Sequence, residues 1–254
     1  MPSRRIFLIR RFISSATSPA GHRETRAISL AMVLGCGVIV ALAEEPKTPP
    51  CNEDAMIVFD ASGSMSGNGW GYGSETAGKV SRIDKVRLAL REILPSVTRY
   101  RRVGLITYGP GAWNQCNVSL ALGPSINAAD RIMAAVNALT PAGRTPLTAA
   151  VAKAADVLDF HNRPGLIVVL TDGEETCGGS PCDLGKRLHA EAEQLTLHVI
   201  GLRVRGFAWI GEQGVLDAKC LAETNGGQHL PVETEVELRE ALEKTLGCPM
   251  VTQR

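Results

Sequence analysis

Aromatic side chains make up only 4% of this 254-residue chain. A core of any size must therefore be packed from Val, Leu, Ile and Ala. Histidine is sparse as well, and the four beyond residue 43 (His161, His189, His198 and His229) fall at no triad or ligand spacing. Zinc is disfavoured, because Cys177 and Cys182 stand five apart with no second Cys or His pair to answer them. Ser62 lies in Ala-Ser-Gly-Ser, not in the Gly-x-Ser-x-Gly turn that exposes a hydrolase nucleophile. A phosphotransferase built on an Asp nucleophile would want a second Asp at position 62, where this chain has Ser. Basic charge is not in surplus either. The formal net charge is +1, and the Arg-rich stretch 1–43 accounts for it, leaving a mildly acidic body. Phosphate binding needs a basic face, so nucleic acid is not an expected partner. These gaps point away from an enzyme and away from a small-molecule substrate.

What is present begins with an export signal. Ala27 to Ala43 is an apolar run behind an Arg-rich region and ends in Ala41-Leu42-Ala43, a small-x-small cleavage pattern. The run is short for a membrane span, so a cleaved signal is expected, with an uncleaved anchor as the alternative. Ser3-Arg4-Arg5-Ile6-Phe7-Leu8 resembles a twin-arginine motif, and Val33-Leu34-Gly35-Cys36 loosely resembles a lipoprotein box. All these routes lead out of the cytoplasm, to a periplasmic, secreted or membrane-anchored location. Residues 44–50 form a short Pro-containing linker, and residues 51–250 form the domain. Six cysteines remain in it (Cys51, Cys116, Cys177, Cys182, Cys220 and Cys248), an even number that reads as disulfides in an exported protein.

Within the domain, apolar strand patterns alternate with helical ones. Met56-Ile57-Val58-Phe59 and Leu166-Ile167-Val168-Val169-Leu170 suit strands buried on both faces. Val103–Tyr108 is a third strand, and the alternating Asn117–Leu122 follows too closely for a crossover helix, so it pairs antiparallel at an edge. Helices are expected over about 80–94, ending at Pro95, then after an Asn127 N-cap, and then after a Thr145 N-cap with Pro146 in the first helical position. Ser180-Pro181 opens another, with Leu184, Leu188 and Leu195 inward. Leu197–Leu202 forms a strand, and a helix over about 215–224 stops at Asn225-Gly226-Gly227. A short strand at His229-Leu230 precedes a last helix opened by the capping box Thr234-x-x-Glu237. Such alternation makes a mostly parallel, doubly wound α/β sheet with helices on both faces. Right-handed crossovers place the strand C-terminal ends on one rim, where ligands bind. Asp60 and Asp172 end two apolar strands there, and Thr145 enters from the same side. With Ser62 and Ser64 they offer two carboxylates and three hydroxyls, hard oxygen donors suited to Mg²⁺, with Mn²⁺ or Ca²⁺ as alternatives.

In that arrangement the chain resembles a von Willebrand factor type A domain with a metal-ion-dependent adhesion site. Asp60-x-Ser62-x-Ser64, Gly143-x-Thr145-Pro146-Leu147 and Thr171-Asp172-Gly173 match the family's three metal loops in order. Asp172-Gly-x-Glu-x-Cys177 resembles a bacterial exported subgroup. The resemblance implies six strands in the order 3-2-1-4-5-6, with one antiparallel edge. It implies direct metal ligation by Ser62 and Ser64, direct or water-mediated contact by Asp60 and Asp172, and a switching role for Thr145. It also implies a function: capture of an exposed Asp or Glu of another protein at the open metal position. The rival expectations are a scaffold with a non-functional site and, less favoured, a metal-dependent hydrolase. Trp70, Tyr72 and Glu174, on loops beside the metal turn, are candidate partner contacts. In this fold the ends of the domain come together, so a Cys51–Cys248 bridge is expected. A local Cys177–Cys182 bridge is the preference for the rest.

Overall fold

The computed structural model describes residues 51, 53–67, 80–202 and 212–248. A six-stranded sheet runs β3-β2-β1-β4-β5-β6, the 3-2-1-4-5-6 order. The strands are β1 (Asp54–Asp60), β2 (Val103–Tyr108), β3 (Val118–Ser125), β4 (Pro164–Thr171), β5 (Gln194–Leu202) and β6 (His229–Val232). All pairings are parallel except β2 with β3. The period-2 alternation divides the core in two. Ala55, Ile57 and Phe59 of β1 join Leu166, Val168 and Leu170 of β4 against α1 (Arg82–Val97), α2 (Ala129–Asn137) and α6 (Glu235–Leu246). Met56, Val58, Ile167 and Val169 pack on the other face against α3 (Leu147–Leu158), α4 (Pro181–Glu191) and α5 (Glu212–Thr224). Each large apolar side chain buried this way contributes roughly 1.5–3 kcal/mol.

Helix boundaries depart from the sequence reading in instructive ways. Pro95 does not end α1 but lies inside it. It is exposed, so the carbonyl its ring deprives of an N–H meets water, while buried Val97 holds one more turn on the core. Asn127 adopts a left-handed φ of 52° instead of capping α2, and its N–H goes to the Thr98 carbonyl at 2.7 Å. Leu195 belongs to β5, because α4 stops at Glu191. The capping box of Thr234 and Glu237 is formed in full.

Cys51, at the start of the domain, is bridged to Cys248 after α6. The local Cys177–Cys182 bridge is overturned: Cys177 pairs with Cys116, and Cys182 with Cys220. Pro181 opens α4 at once, so Cys182 becomes a first-turn helical residue facing α5. Cys177, still in the loop, lies instead against the turn between β2 and β3. Among the described residues no helix is long and apolar enough to cross a membrane.

Candidate metal centre

The site forms where β1 and β4 end side by side, the point at which strand order reverses. Asp60 closes β1 and is completely buried. Its Oδ1 accepts the Ser62 backbone N–H at 2.7 Å, and its Oδ2 accepts the Thr171 hydroxyl at 2.7 Å. Ser62 and Ser64 Oγ lie 3.0 Å apart, and Ser64 Oγ donates to Asp172 Oδ1 at 2.6 Å. The chain then makes a single 3₁₀ turn over Gly63–Ser66, which aims both hydroxyls inward while Met65 anchors the turn in the core.

Backbone hydrogen bonds stitch the three loops together. Ala142 N–H donates to the Ala61 carbonyl at 3.0 Å, and Gly63 N–H to the Gly143 carbonyl at 3.2 Å. Gly143 has φ 64°, and a side chain there would run into the Gly109 carbonyl. Thr145 does not cap α3; Pro146 does, and the helix begins at Leu147. Outside the helix, Thr145 pairs with the third loop. Its N–H donates to Thr176 Oγ1 at 2.8 Å, and its carbonyl accepts Thr176 N–H at 3.0 Å. A methyl group added at Gly173 would lie 3.6 Å from Thr145 Oγ1 and 3.7 Å from Ser64 Oγ. Hydroxyls from two distant loops thus flank one small volume. Glu175 pins the third loop, its Oε2 accepting Thr148 N–H at 2.8 Å in the first turn of α3 and its Oε1 accepting Cys177 N–H at 2.6 Å.

The two carboxylates are compensated differently. Asp172 is paired with Arg82, whose Nη1 lies 2.6 Å from Oδ2 and also donates to the Ser64 carbonyl at 2.8 Å. Asp60 has only neutral donors among the described residues. Burial pushes its carboxyl up to about 6, with the nearby Asp172 charge adding to the shift and the bonds from Ser62 and Thr171 opposing it. Burial likewise raises Asp172, against the Ser64 bond and the Arg82 charge. Beside Asp60 in the sheet, the Tyr108 hydroxyl is fully buried and close to both Asp60 and Thr171. Burial, followed by the charge of Asp60, drives its pKa well above the usual value.

All five predicted ligand residues therefore lie on one rim, and four of them are buried: Asp60, Ser62, Thr145 and Asp172. Among the described residues no three His, Cys, Asp or Glu side chains form a metal-ligating group. What the rim offers is two carboxylates and three hydroxyls, a set suited to a hard cation. A buried carboxylate with no cation beside it among the described residues fits that chemistry. Glu174 is half-buried on the third loop, while Trp70 and Tyr72 fall outside the described residues.

Sequence reasoning missed Arg82 and Trp113, and it placed Thr171 in the third loop without the bond it makes to Asp60. Trp113, 84% exposed, stands on the loop between β2 and β3. The Cys116–Cys177 bridge and an Arg144 N–H bond to the Gln115 carbonyl fasten that loop to the metal loops. A signal was available for Arg82: a cation in the first turn of a helix opposes the helix dipole and needs a partner.

Residues 55–175 match the family model of the von Willebrand factor type A domain. A curated relative, the uncharacterized protein YwmC of Bacillus subtilis (strain 168), is 25% identical over 206 residues, covering 77% of this chain and 82% of that protein. A von Willebrand factor type A structure from Catenulispora acidiphila superposes with a TM-score of 0.54 at 16% identity, over 77% of this chain and 42% of that one. The pilus adhesin SpaC from Lactobacillus rhamnosus GG gives 0.56 at 14% identity, over 76% of this chain and 30% of that one. Residues 55–175 are thus similar in sequence to a von Willebrand factor type A domain, and the sheet order and the structural neighbours agree with that fold.

Proposed function

We propose that this is an exported, non-catalytic protein-binding module whose rim holds Mg²⁺ through Asp60, Ser62, Ser64, Thr145 and Asp172. The observation that carries the reading is the convergence of these side chains around a buried carboxylate that no cation compensates among the described residues. A bound Mg²⁺ would supply an electrophilic position for an exposed Asp or Glu of a partner protein. The chain's own residues orient it: Thr171 and the Ser62 N–H fix Asp60, and the stitched loops fix the hydroxyls. Domains of this type often mediate protein interactions, and one neighbour in structure is a pilus adhesin. Three disulfides fit an extracellular or exported protein. Binding without catalysis is favoured because two of the histidines are engaged away from the rim: His161 Nδ1 with the Glu191 carbonyl, and His198 Nδ1 with the Gln228 N–H.

Trp113 is the partner contact best supported among the described residues, a large exposed ring on a loop tied to the metal loops. Calorimetry with Mg²⁺ should show one divalent site that Ser64→Ala loses; undiminished binding by that variant would defeat the assignment. A partner captured from the cell envelope should bind with Mg²⁺, be released by EDTA, and bind at least tenfold more weakly to Trp113→Ala. Equal capture with and without EDTA would leave a scaffold function in its place.

A further inference from the structure

Arg82 is oddly placed for a structural ion pair. It occupies the first position of α1, where the exposed N–H groups already carry partial positive charge. Its side chain is only 17% exposed, and its Nε is buried without a hydrogen-bond partner among the described residues. One nitrogen, Nη1, makes both of its bonds, to Asp172 Oδ2 at 2.6 Å and to the Ser64 carbonyl at 2.8 Å. The side chain of Asp172 is fully buried, so its negative charge cannot be left to water. The guanidinium thus supplies a single positive charge at the carboxylate that the rim would lend to a metal ion.

We propose that Arg82 is an internal competitor for the metal: divalent-ion binding at Asp172 requires its guanidinium to leave, so Arg82 sets the affinity and charge selectivity of the site. The inference rests on the metal reading above. A cation ligated by Asp172 and Ser64 needs the same small region of negative potential that Arg82 Nη1 now fills. Two cations in that volume repel each other strongly in a water-poor setting. A monovalent ion replaces one positive charge with another and gains nothing. A divalent ion would bring a second charge, and held by the residues of this rim it would compensate Asp60 as well, which Arg82 does not touch. The site should therefore ignore Na⁺ and K⁺ and respond only to divalent ions, with an affinity lowered by the work of dislodging Arg82. The neutral donors around Asp60 remain in place throughout, because none of them bonds to Arg82.

The test is Mg²⁺ titration calorimetry on the full mature protein and on Arg82→Gln, paired with melting curves in EDTA. Arg82→Gln should bind Mg²⁺ at least tenfold more tightly, melt lower in EDTA, and gain more than the wild type when Mg²⁺ is added. Should Arg82→Gln fail to fold, Arg82→Met and the Arg82 Nε resonance of the wild type decide the question. The methionine variant should bind more tightly than wild type, and saturating Mg²⁺ should shift the Arg82 resonance while Na⁺ leaves it alone. Equal affinity, or an unshifted resonance at saturation, would show that arginine and metal coexist and would overturn the proposal. Weaker binding by Arg82→Gln would overturn it in the other direction, making Arg82 a residue that positions Asp172 for the ion. Absence of Mg²⁺ binding in every variant would remove the metal reading itself and this inference with it.

Discussion

Strand β1 carries a carboxylate at each end, and the two are treated in opposite ways. Asp54, where the strand begins, lies 3.5 Å from Arg102 and 3.8 Å from Arg163. Beside it, nearly buried Arg101 pairs with Glu53 at 2.8 Å and reaches Cys51 Sγ at 2.9 Å. Asp60, where the strand ends, is buried more deeply and among the described residues meets only a backbone N–H and a hydroxyl. A chain selected for stability alone would supply the deeper carboxylate with a cation first. Here the shallow one has two, which places the base of the sheet in the service of the fold and the rim in the service of something added. The disulfides follow the same division: Cys51–Cys248 ties the base, and Cys116–Cys177 stiffens the rim.

The largest effect should come from breaking the base. Cys51 and Cys248 are 197 residues apart, and chain entropy sets the loss on replacing both by Ser at about 5 kcal/mol as a model ceiling. Denaturant unfolding should show most of that loss. Mg²⁺ affinity of the folded double variant should stay within twofold of wild type, because the bridge lies at the far end of β1 from Asp60. A tenfold change in affinity would mean that the two ends are coupled and that the division is false.

Next in size is Asp60→Asn, which should have opposite signs in the two conditions. Asp60 has a folded pKa raised to about 6 from 3.8. Between those values the folded chain holds a proton that the unfolded chain has released. Stability is therefore favoured below about pH 4 and lost as pH rises toward 6. Above 6 the charged, buried carboxylate costs on the order of 3 kcal/mol. The amide avoids that cost, and its NH₂ can donate to Thr171 Oγ1, whose own hydrogen turns to the Gly173 carbonyl at 3.2 Å. In EDTA at pH 7.5 the variant should melt higher than wild type and should lose the fall in stability between pH 4 and 6. With Mg²⁺ present, wild type should recover the difference and the variant should not. A variant that melts lower in EDTA would show that Asp60 is compensated after all.

These effects explain how much of the molecule could be read in advance. The alternating strands and helices and the three loops were legible because they rest on strong local signals: runs such as Leu166–Leu170, cap-plus-proline pairs, and Asp-x-Ser-x-Ser at a strand end; the sheet order came only with the family resemblance that those loops carry. Loop contacts were less so. Which cysteine faces Cys177 depends on where Pro181 starts α4 and how the β2–β3 turn folds over, and spacing along the chain carries neither. Arg82, Thr171 and Thr176 act through bonds to residues far away in sequence, so no periodicity marks them. Trp113 was missed for the reverse reason: two other aromatics, Trp70 and Tyr72, lie closer to the metal turn in sequence, while a disulfide and a backbone bond bring Trp113 to the rim.

The smallest effect should belong to Asp54→Asn, the same substitution at the other end of the same strand. Its side chain is 11% exposed, but Arg102 and Arg163 are 58% and 50% exposed and stand beyond ordinary hydrogen-bond length. Solvent screens such pairs, and each contributes between nothing and about 1 kcal/mol. The variant should therefore lose no more than about 1 kcal/mol in urea unfolding, and the loss should shrink in 1 M NaCl, where the screening length falls to about 3 Å. EDTA and Mg²⁺ should give the same answer, since nothing at this end awaits a metal. The sign carries the argument: Asp54→Asn lowers stability slightly in chelator, whereas Asp60→Asn raises it. A stabilised Asp54→Asn would mean that two arginines fail to offset even a shallow carboxylate. The contrast with buried Asp60 would then be one of burial depth alone, with no bearing on a site for a cation.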